Sequence, residues 1–237
     1  VAIVGAGRLG TALGGALRAA GYEVSGPLAR GATAAGADLA LLCVPDAEIA
    51  AAARPIEPGV LVGHCSGATG LGALGAREGL SLHPLMAVVG PEASFAGAGA
   101  AIAANSPRAL GLARELAEAL GMVAVEVAER DRPVYHAAAS IASNFLVTLE
   151  AAAERLAAQA GVGRELLVPL VRASVENWAR LGSERALTGP LARGDEATVA
   201  AQREAVLDRA PDLIVLFDAL VQATRALAGG RREAAAA

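Results

Sequence analysis

The 237-residue chain is 54% hydrophobic and 19% charged, with a formal charge of −4 and a pI near 5.5. That length admits one large domain or two modest ones with an ample core. The acidic balance argues against nucleic acid as the main partner, and Gly, Pro, Asp or Arg break every apolar stretch well short of membrane-spanning length, so no membrane partner is expected.

The chain opens with Val1-Ala-Ile-Val-Gly5-Ala6-Gly7-Arg8-Leu9-Gly10, a β-branched strand running into a G-x-G-x-x-G turn. Leu9, Ala12, Leu13 and Leu17 then follow at helical spacing. In this context Gly5 allows a tight turn, Gly7 lets a pyrophosphate approach the backbone, and Gly10 lets the helix pack closely on the strand. The residues from Gly5 to Gly10 (Gly5, Ala6, Gly7, Arg8, Leu9, Gly10) are therefore candidate dinucleotide contacts, with the helix N–H groups facing the phosphates. The alternative is an ordinary glycine-rich βα turn without a ligand.

Tyr22-Glu-Val-Ser25 reads as the second strand. An NAD site places an acid about 20 residues past the glycines to bond the ribose 2′-hydroxyl. No acid follows Glu23 until Asp38, whereas Arg30 is placed to grip a 2′-phosphate, with Thr33 or Ser25 adding a hydroxyl. The expected cofactor is NADP, with NAD or a deazaflavin also compatible. Only about seven residues join Arg30 to Asp38, too few for a helical crossover, so one αβ unit of the doubly wound sheet is shortened.

Residues 38–44 form a buried parallel strand ending at Val44-Pro45, two further candidate cofactor contacts, and Asp46 reads as the N-cap of a helix through residue 53. Strands follow at 60–64, 80–83, 99–103 and 123–127, and Ser106-Pro107 starts the helix between the last two. From Asp131 the period becomes helical, with helices expected over 133–160, 165–181, 196–210 and 212–228 and a frayed tail over 229–237. The predicted architecture is an α/β Rossmann-like domain with a parallel sheet over 1–129, then an all-helical substrate and dimerisation domain over 130–237. The apolar length of the first long helix suggests a homodimer built through that domain.

All twenty basic residues are arginine, so acid–base chemistry near neutral pH falls to the three histidines. Cys43 and Cys65 lack metal-ligand spacing and suit a reducing cytoplasm, and no cationic segment precedes an apolar one as in a signal peptide. No metal site is expected. His64 and His83 end two strands at the sheet edge where ligands bind, and Ser66-Gly67 follows the first of them. Each has a plainer reading, as a satisfied structural histidine or as turn chemistry. His136, Ser140 and Asn144 fall at i, i+4 and i+8 among small alanines, forming a polar stripe that either faces a ligand or is solvated. Arg193, in the turn Leu187-Thr188-Gly-Pro-Leu-Ala-Arg193-Gly-Asp195, is a candidate carboxylate anchor or else a partner of Asp195 that pins the turn.

The set GAGRLG, LLCVPD, HCSG, SLHPL, YHAAASIASNFLVTLEAA and ALTGPLARGD resembles the Rossmann-like reductase family with a C-terminal helical domain of unknown function. That family is related to ketopantoate reductases and pyrroline-5-carboxylate reductases. Ketopantoate reductases carry a lysine with asparagines four and eight residues later on the corresponding helix, where this chain has His136, Ser140 and Asn144. The resemblance implies NADPH-dependent reduction of a small carboxylate-bearing 2-oxo acid, ketopantoate first. The alternatives are an imine (pyrroline-5-carboxylate-like) reductase, or a non-catalytic dinucleotide sensor or scaffold. In the expected mechanism His136 protonates the developing alkoxide, with His83 as the second choice. Ser140 and Asn144 orient the substrate, Ser66 faces them, and Arg193 holds a carboxylate.

Overall fold

The strand β1 (Ala2–Val4) lies between β2 (Ser25–Leu28) and β3 (Leu39–Leu42) in a seven-stranded sheet completed by β4 (Leu61–His64), β5 (Gly79–Leu85), β6 (Gly99–Ala104) and β7 (Val123–Glu126). This is a computed structural model, and it describes residues 1–236. The strand order is β2-β1-β3-β4-β5-β6-β7, and every pairing is parallel except β5 with β6.

Alternation along the central strands divides the core between two faces. Ile3, Leu39, Leu41 and Leu61 point to one side, where they meet Leu13 and Leu17 of α1 (Arg8–Ala19) and Ala113 and Leu116 of α3 (Pro107–Ala119). Ala2, Val4, Ala40, Leu42 and Val62 point to the other, against Ile49, Ala52 and Ala53 of α2 (Ile49–Ala53). Strands buried on both faces read as continuous apolar runs, which is why LALL and AIV were recognisable. The Ser106 hydroxyl caps α3 by accepting from the Ala109 N–H at 3.1 Å, with Pro107 in the first turn.

Three local expectations are corrected. The second strand is Ser25–Leu28, not residues 22–25: the Ser25 N–H bonds the Val1 carbonyl and the Gly5 N–H bonds that of Leu28. Asp46 does not cap a helix; it begins a 3₁₀ turn (Asp46–Glu48) and its carboxylate accepts from Ser66 instead. Sheet direction also reverses once, where residues 86–98 join the neighbouring strands β5 and β6 without a helix and the two pair antiparallel. The shortened unit is present as expected, since no helix separates β2 from β3.

The chain divides into two compact units, Val1–Phe145 and the residues from Leu146 onward. The first ends with α4 (Arg132–Ser140) and a π-helical turn (Ile141–Phe145). The second is all helical: α5 (Leu146–Gln159), α6 (Arg164–Leu181), α7 (Ser183–Ala186), α8 (Pro190–Arg193), α9 (Glu196–Arg209) and α10 (Ile214–Ala236). Asp195 caps α9, accepting from the Thr198 N–H at 3.1 Å and the Thr198 hydroxyl at 2.7 Å. Bidentate pairs Arg155–Asp212 and Arg203–Asp218 tie helices within this unit. The α10 helix continues to Ala236 through most of the expected tail, and Ala237 lies outside the described residues. Among the described residues no helix is long and apolar enough to cross a membrane.

Candidate functional site

The strand order reverses about β1, whose neighbours β2 and β3 follow it in sequence on opposite sides, and such a switch point opens a crevice at the carboxyl ends of the strands. The glycine turn occupies that edge. Gly5 holds φ +112°, and a Cβ there or on Gly10 would strike the carbonyl oxygen of Cys43 or of Gly5, respectively. A Cβ on Gly7 would meet open space, so the backbone is bare where a phosphate would approach. Gly7 is also the N-cap of α1 and supplies no side-chain cap, leaving the positive end of the helix uncapped by protein. Ala6 and Arg8 are exposed, Leu9 is half-buried, and Val44 and Pro45 leave β3 beside the turn. These residues can hold a dinucleotide.

With β2 ending at Leu28, Arg30 stands two residues beyond the strand and Ser25 stands at its start, away from that end. Arg30 is exposed and pairs with Glu48 at 3.1 Å. An exposed pair of this kind is worth roughly 0–1 kcal/mol, so an incoming phosphate or ribose can displace it.

A second cluster lies where β5 meets α4. His83 Nδ1 is 2.7 Å from the Tyr135 hydroxyl, and the two rings meet edge-on with centroids 5.7 Å apart. The His136 ring stands 6.2 Å from that of His83. Buried Gly67 lies against both: a Cβ there would fall 2.8 Å from His136 Cδ2 and 2.8 Å from His83 Cε1. Glycine at this position is what lets the two imidazoles converge. A cavity of about 430 Å³ opens beside them, lined also by Ser140, Ser143 and Asn144. The π-turn adds a residue to this stretch of helix and so brings both Ser143 and Asn144 to the cavity wall.

Burial, followed by the nearby His136 and Arg132 charges, lowers the pKa of His83 to about 4, so its ring is neutral at neutral pH. Burial raises the pKa of the Tyr135 phenol, which therefore keeps its proton. The tautomer of the neutral imidazole sets which of the two groups donates in this bond.

Behind the cavity, Arg132 is 1% exposed and donates to the Ser66 carbonyl at 3.1 Å, the Thr69 carbonyl at 3.1 Å and the Ser81 hydroxyl at 2.6 Å. It thereby fastens α4 to the loop after β4 and to β5. Burial lowers its pKa, opposed by Glu129. His64 is wholly buried, its Nδ1 accepting from the Ser66 N–H at 3.2 Å, and burial followed by Arg132 lowers its pKa to about 4. It is a core residue of β4.

The structure thus brings His83, His136, Ser140 and Asn144 to one cavity. The Ser66 hydroxyl donates to Asp46 at 2.7 Å and accepts from the Ala68 and Thr69 N–H groups at 3.2 and 2.8 Å, so it organises the loop after β4. Arg193 belongs to the second unit, exposed at the end of α8, and Asp195 turns its carboxylate to Thr198 rather than to Arg193. Sequence reasoning missed Tyr135 and Arg132. Tyr135 directly precedes His136, and Arg132 lies between Asp131 and Pro133 at a helix start, where arginine carries no local signal of burial.

Residues 99–224, more than half of the chain, match the family described as Domain of unknown function (DUF2520). No curated protein matches the sequence. The fold is similar to that of protein TM1727 from Thermotoga maritima, with a TM-score of 0.80 and 25% identity over 98% of this chain and 99% of that one. It is similar also to a candidate NADP oxidoreductase, BF3122 from Bacteroides fragilis, at TM-score 0.79 and 19% identity over 94% and 96% of the two chains. A Streptomyces aurantiacus imine reductase matches at TM-score 0.65 and 16% identity over 94% and 92%. At these low identities the shared property is the Rossmann-like fold with its helical C-terminal region.

Proposed function

The chain belongs to the DUF2520 family, which brings no activity with it, and we propose that it is an NADPH-dependent reductase of a small cyclic or acyclic imine. The observation that carries this reading is the pocket lined by three side chains able to carry a proton, His83, Tyr135 and His136, on the same unit as the glycine turn. Likeness to an imine reductase and to a Plasmodium falciparum pyrroline carboxylate reductase with NADP bound supports it at the level of fold.

The chemistry also favours imine over ketopantoate. Reducing a ketone leaves an alkoxide that takes a proton as it forms, the task given to lysine in ketopantoate reductases. An imine nitrogen is protonated before hydride arrives, and the product is a neutral amine. A chain without lysine is better matched to the second reaction. In this reading the dinucleotide supplies the hydride. His136 and Tyr135 bring the proton to the imine nitrogen, His83 holds the Tyr135 hydroxyl, and Ser140 and Asn144 orient the substrate. Arg193 remains the proposed carboxylate anchor, Arg30 the contact for a 2′-phosphate, and the helical unit the dimer surface.

Cofactor oxidation across a panel of cyclic imines and 2-oxo acids tests the proposal. Saturable turnover on imines with kcat/KM at least about tenfold above that on any oxo acid is expected. The opposite ranking restores the ketopantoate reading, and tight dinucleotide binding without turnover on either class leaves a sensor or scaffold. Titration with NADPH and NADH reports on Arg30: Arg30→Ala should weaken NADPH about tenfold and leave NADH unchanged, as expected for one charge-assisted contact.

A further inference from the structure

Cys43 and Cys65 stand immediately beyond β3 and β4, whose parallel register pairs Leu42 with His64 and makes the two cysteines the next pair. Their sulfurs are 3.8 Å apart. The Cys65 N–H still bonds the Leu42 carbonyl at 3.3 Å and the Cys43 N–H that of Val4 at 2.8 Å, so both backbones are held at sheet spacing. Neighbouring strands lie about 4.7–4.9 Å apart, within the roughly 4.4–6.8 Å span of Cα positions that a disulfide bridges. Closing the sulfurs to about 2.05 Å asks for side-chain rotation and a small backbone adjustment. Access is asymmetric: Cys43 is half-buried, whereas Cys65 is buried, its pKa raised by the contact with Cys43 and by burial.

We infer that Cys43 and Cys65 form a reversible thiol–disulfide site beneath the glycine turn, oxidised by low-molecular-weight disulfides. The thiolate of Cys43 attacks one sulfur of glutathione disulfide, whose S–S bond breaks and releases one glutathione thiolate. The Cys65 thiolate then attacks the Cys43 sulfur of the mixed disulfide and releases the second. Two protein thiols lose two electrons and two protons, and one glutathione disulfide becomes two glutathione thiols. The position gives the bond a consequence. A Cβ on Gly10 would lie 3.1 Å from Cys43 Cβ, so Cys43 is the floor on which the turn rests. A bond formed there would lie directly under the glycine turn, with Cys43 as its accessible member.

The test is to incubate the full chain, natively folded, with glutathione disulfide, alkylate the remaining thiols, and measure intact mass and linked peptides. Loss of two hydrogens and a Cys43–Cys65 linked peptide are expected, reversed by dithiothreitol, with Cys65→Ser holding a stable glutathione adduct on Cys43. Two alkylated cysteines after exhaustive oxidation, or a persistent adduct on Cys43 in the unaltered protein, would overturn the inference. A parallel arm adds saturating NADPH and rests on the dinucleotide reading above: covering Cys43 should slow oxidation about tenfold, since thiol reactivity follows access. A linked peptide formed equally fast with and without NADPH counts against that reading and leaves the thiol site standing.

Discussion

The two units solve the problem of burying apolar surface differently. In Val1–Phe145 both sheet faces are covered by helices, and Ile3, Leu13, Leu39, Leu41, Leu61 and Leu80 are fully enclosed. In the helical unit only Val199, Val206, Ala210 and Ala228 are buried among the described hydrophobic residues, while Leu166, Leu170 and Trp178 recur at multiples of four along α6 and are 66%, 65% and 59% exposed. Contiguous exposed apolar patches are uncommon on monomeric proteins, and this stripe is where the dimer proposed above would form. The first unit carries both the glycine turn and the histidine cavity, and the second carries the exposed apolar stripe.

The largest effect expected from breaking the first unit is at Arg132. Arg132→Met keeps the volume but leaves two carbonyls and the Ser81 hydroxyl without their donor. Hydrogen bonds to a charged group are worth about 1.5–3 kcal/mol each, so unfolding should become easier by at least about 3 kcal/mol in urea titration. A loss under about 1 kcal/mol would show that desolvation of the guanidinium offsets its bonds.

Next is the cavity. His136→Ala should lower kcat at least about a hundredfold with little change in dinucleotide affinity, the size expected of a positioned proton carrier. His83→Ala should lower kcat less, about tenfold, because its ring only holds the proton-carrying Tyr135 in place. The reverse pattern in steady-state kinetics would exchange the two roles.

Stability of the first unit should also respond to acid. Folded His64 and His83 take up a proton only near pH 4, whereas unfolded imidazoles do so near 6.5. Between these values the unfolded chain binds more protons, so stability is complete above pH 6.5 and declines as the pH falls toward 4. Each ring should account for up to about 3 kcal/mol of the loss by pH 4, read from urea midpoints across that window. A flat profile would contradict the burial of both rings.

The smallest effect on folding is expected at the helical surface. Leu170→Glu with Trp178→Glu should convert a dimer to a monomer by light scattering, while unfolding of the first unit shifts by less than about 0.5 kcal/mol. An unaltered protein that is already monomeric at micromolar concentration would remove the association half of the comparison.

What the sequence revealed follows the same division between local and distant causes. The glycine turn, the buried strands LALL and LVGH, and the Ser106-Pro107 helix start are written in a few adjacent residues, and all three stand in the structure. The second strand was misplaced because Tyr22-Glu-Val-Ser25 alternates like a strand, while Ser25-Gly-Pro-Leu28 is held in the sheet by backbone bonds to Val1 and Gly5 and by the Arg18 guanidinium on the Gly26 carbonyl. Arg132 contacts Ser66 and Ser81 across 66 and 51 positions of sequence, and His83 contacts Tyr135 across 52. No periodicity records such pairings. The three histidines could therefore be nominated from the sequence, but neither the core role of His64 nor the joining of the other two through Gly67 could.

In the proposed reaction the glycine turn would hold the dinucleotide that supplies hydride to the carbon of an imine beside His136. NADPH carrying two deuterium atoms at the nicotinamide C4, incubated with the chain and a cyclic imine, tests it most directly by mass spectrometry of the amine. One deuterium on the former imine carbon is expected, with formation of the labelled amine slowed at least about a hundredfold by His136→Ala. Unlabelled amine, or no amine from a protein that binds NADPH stoichiometrically, would contradict it.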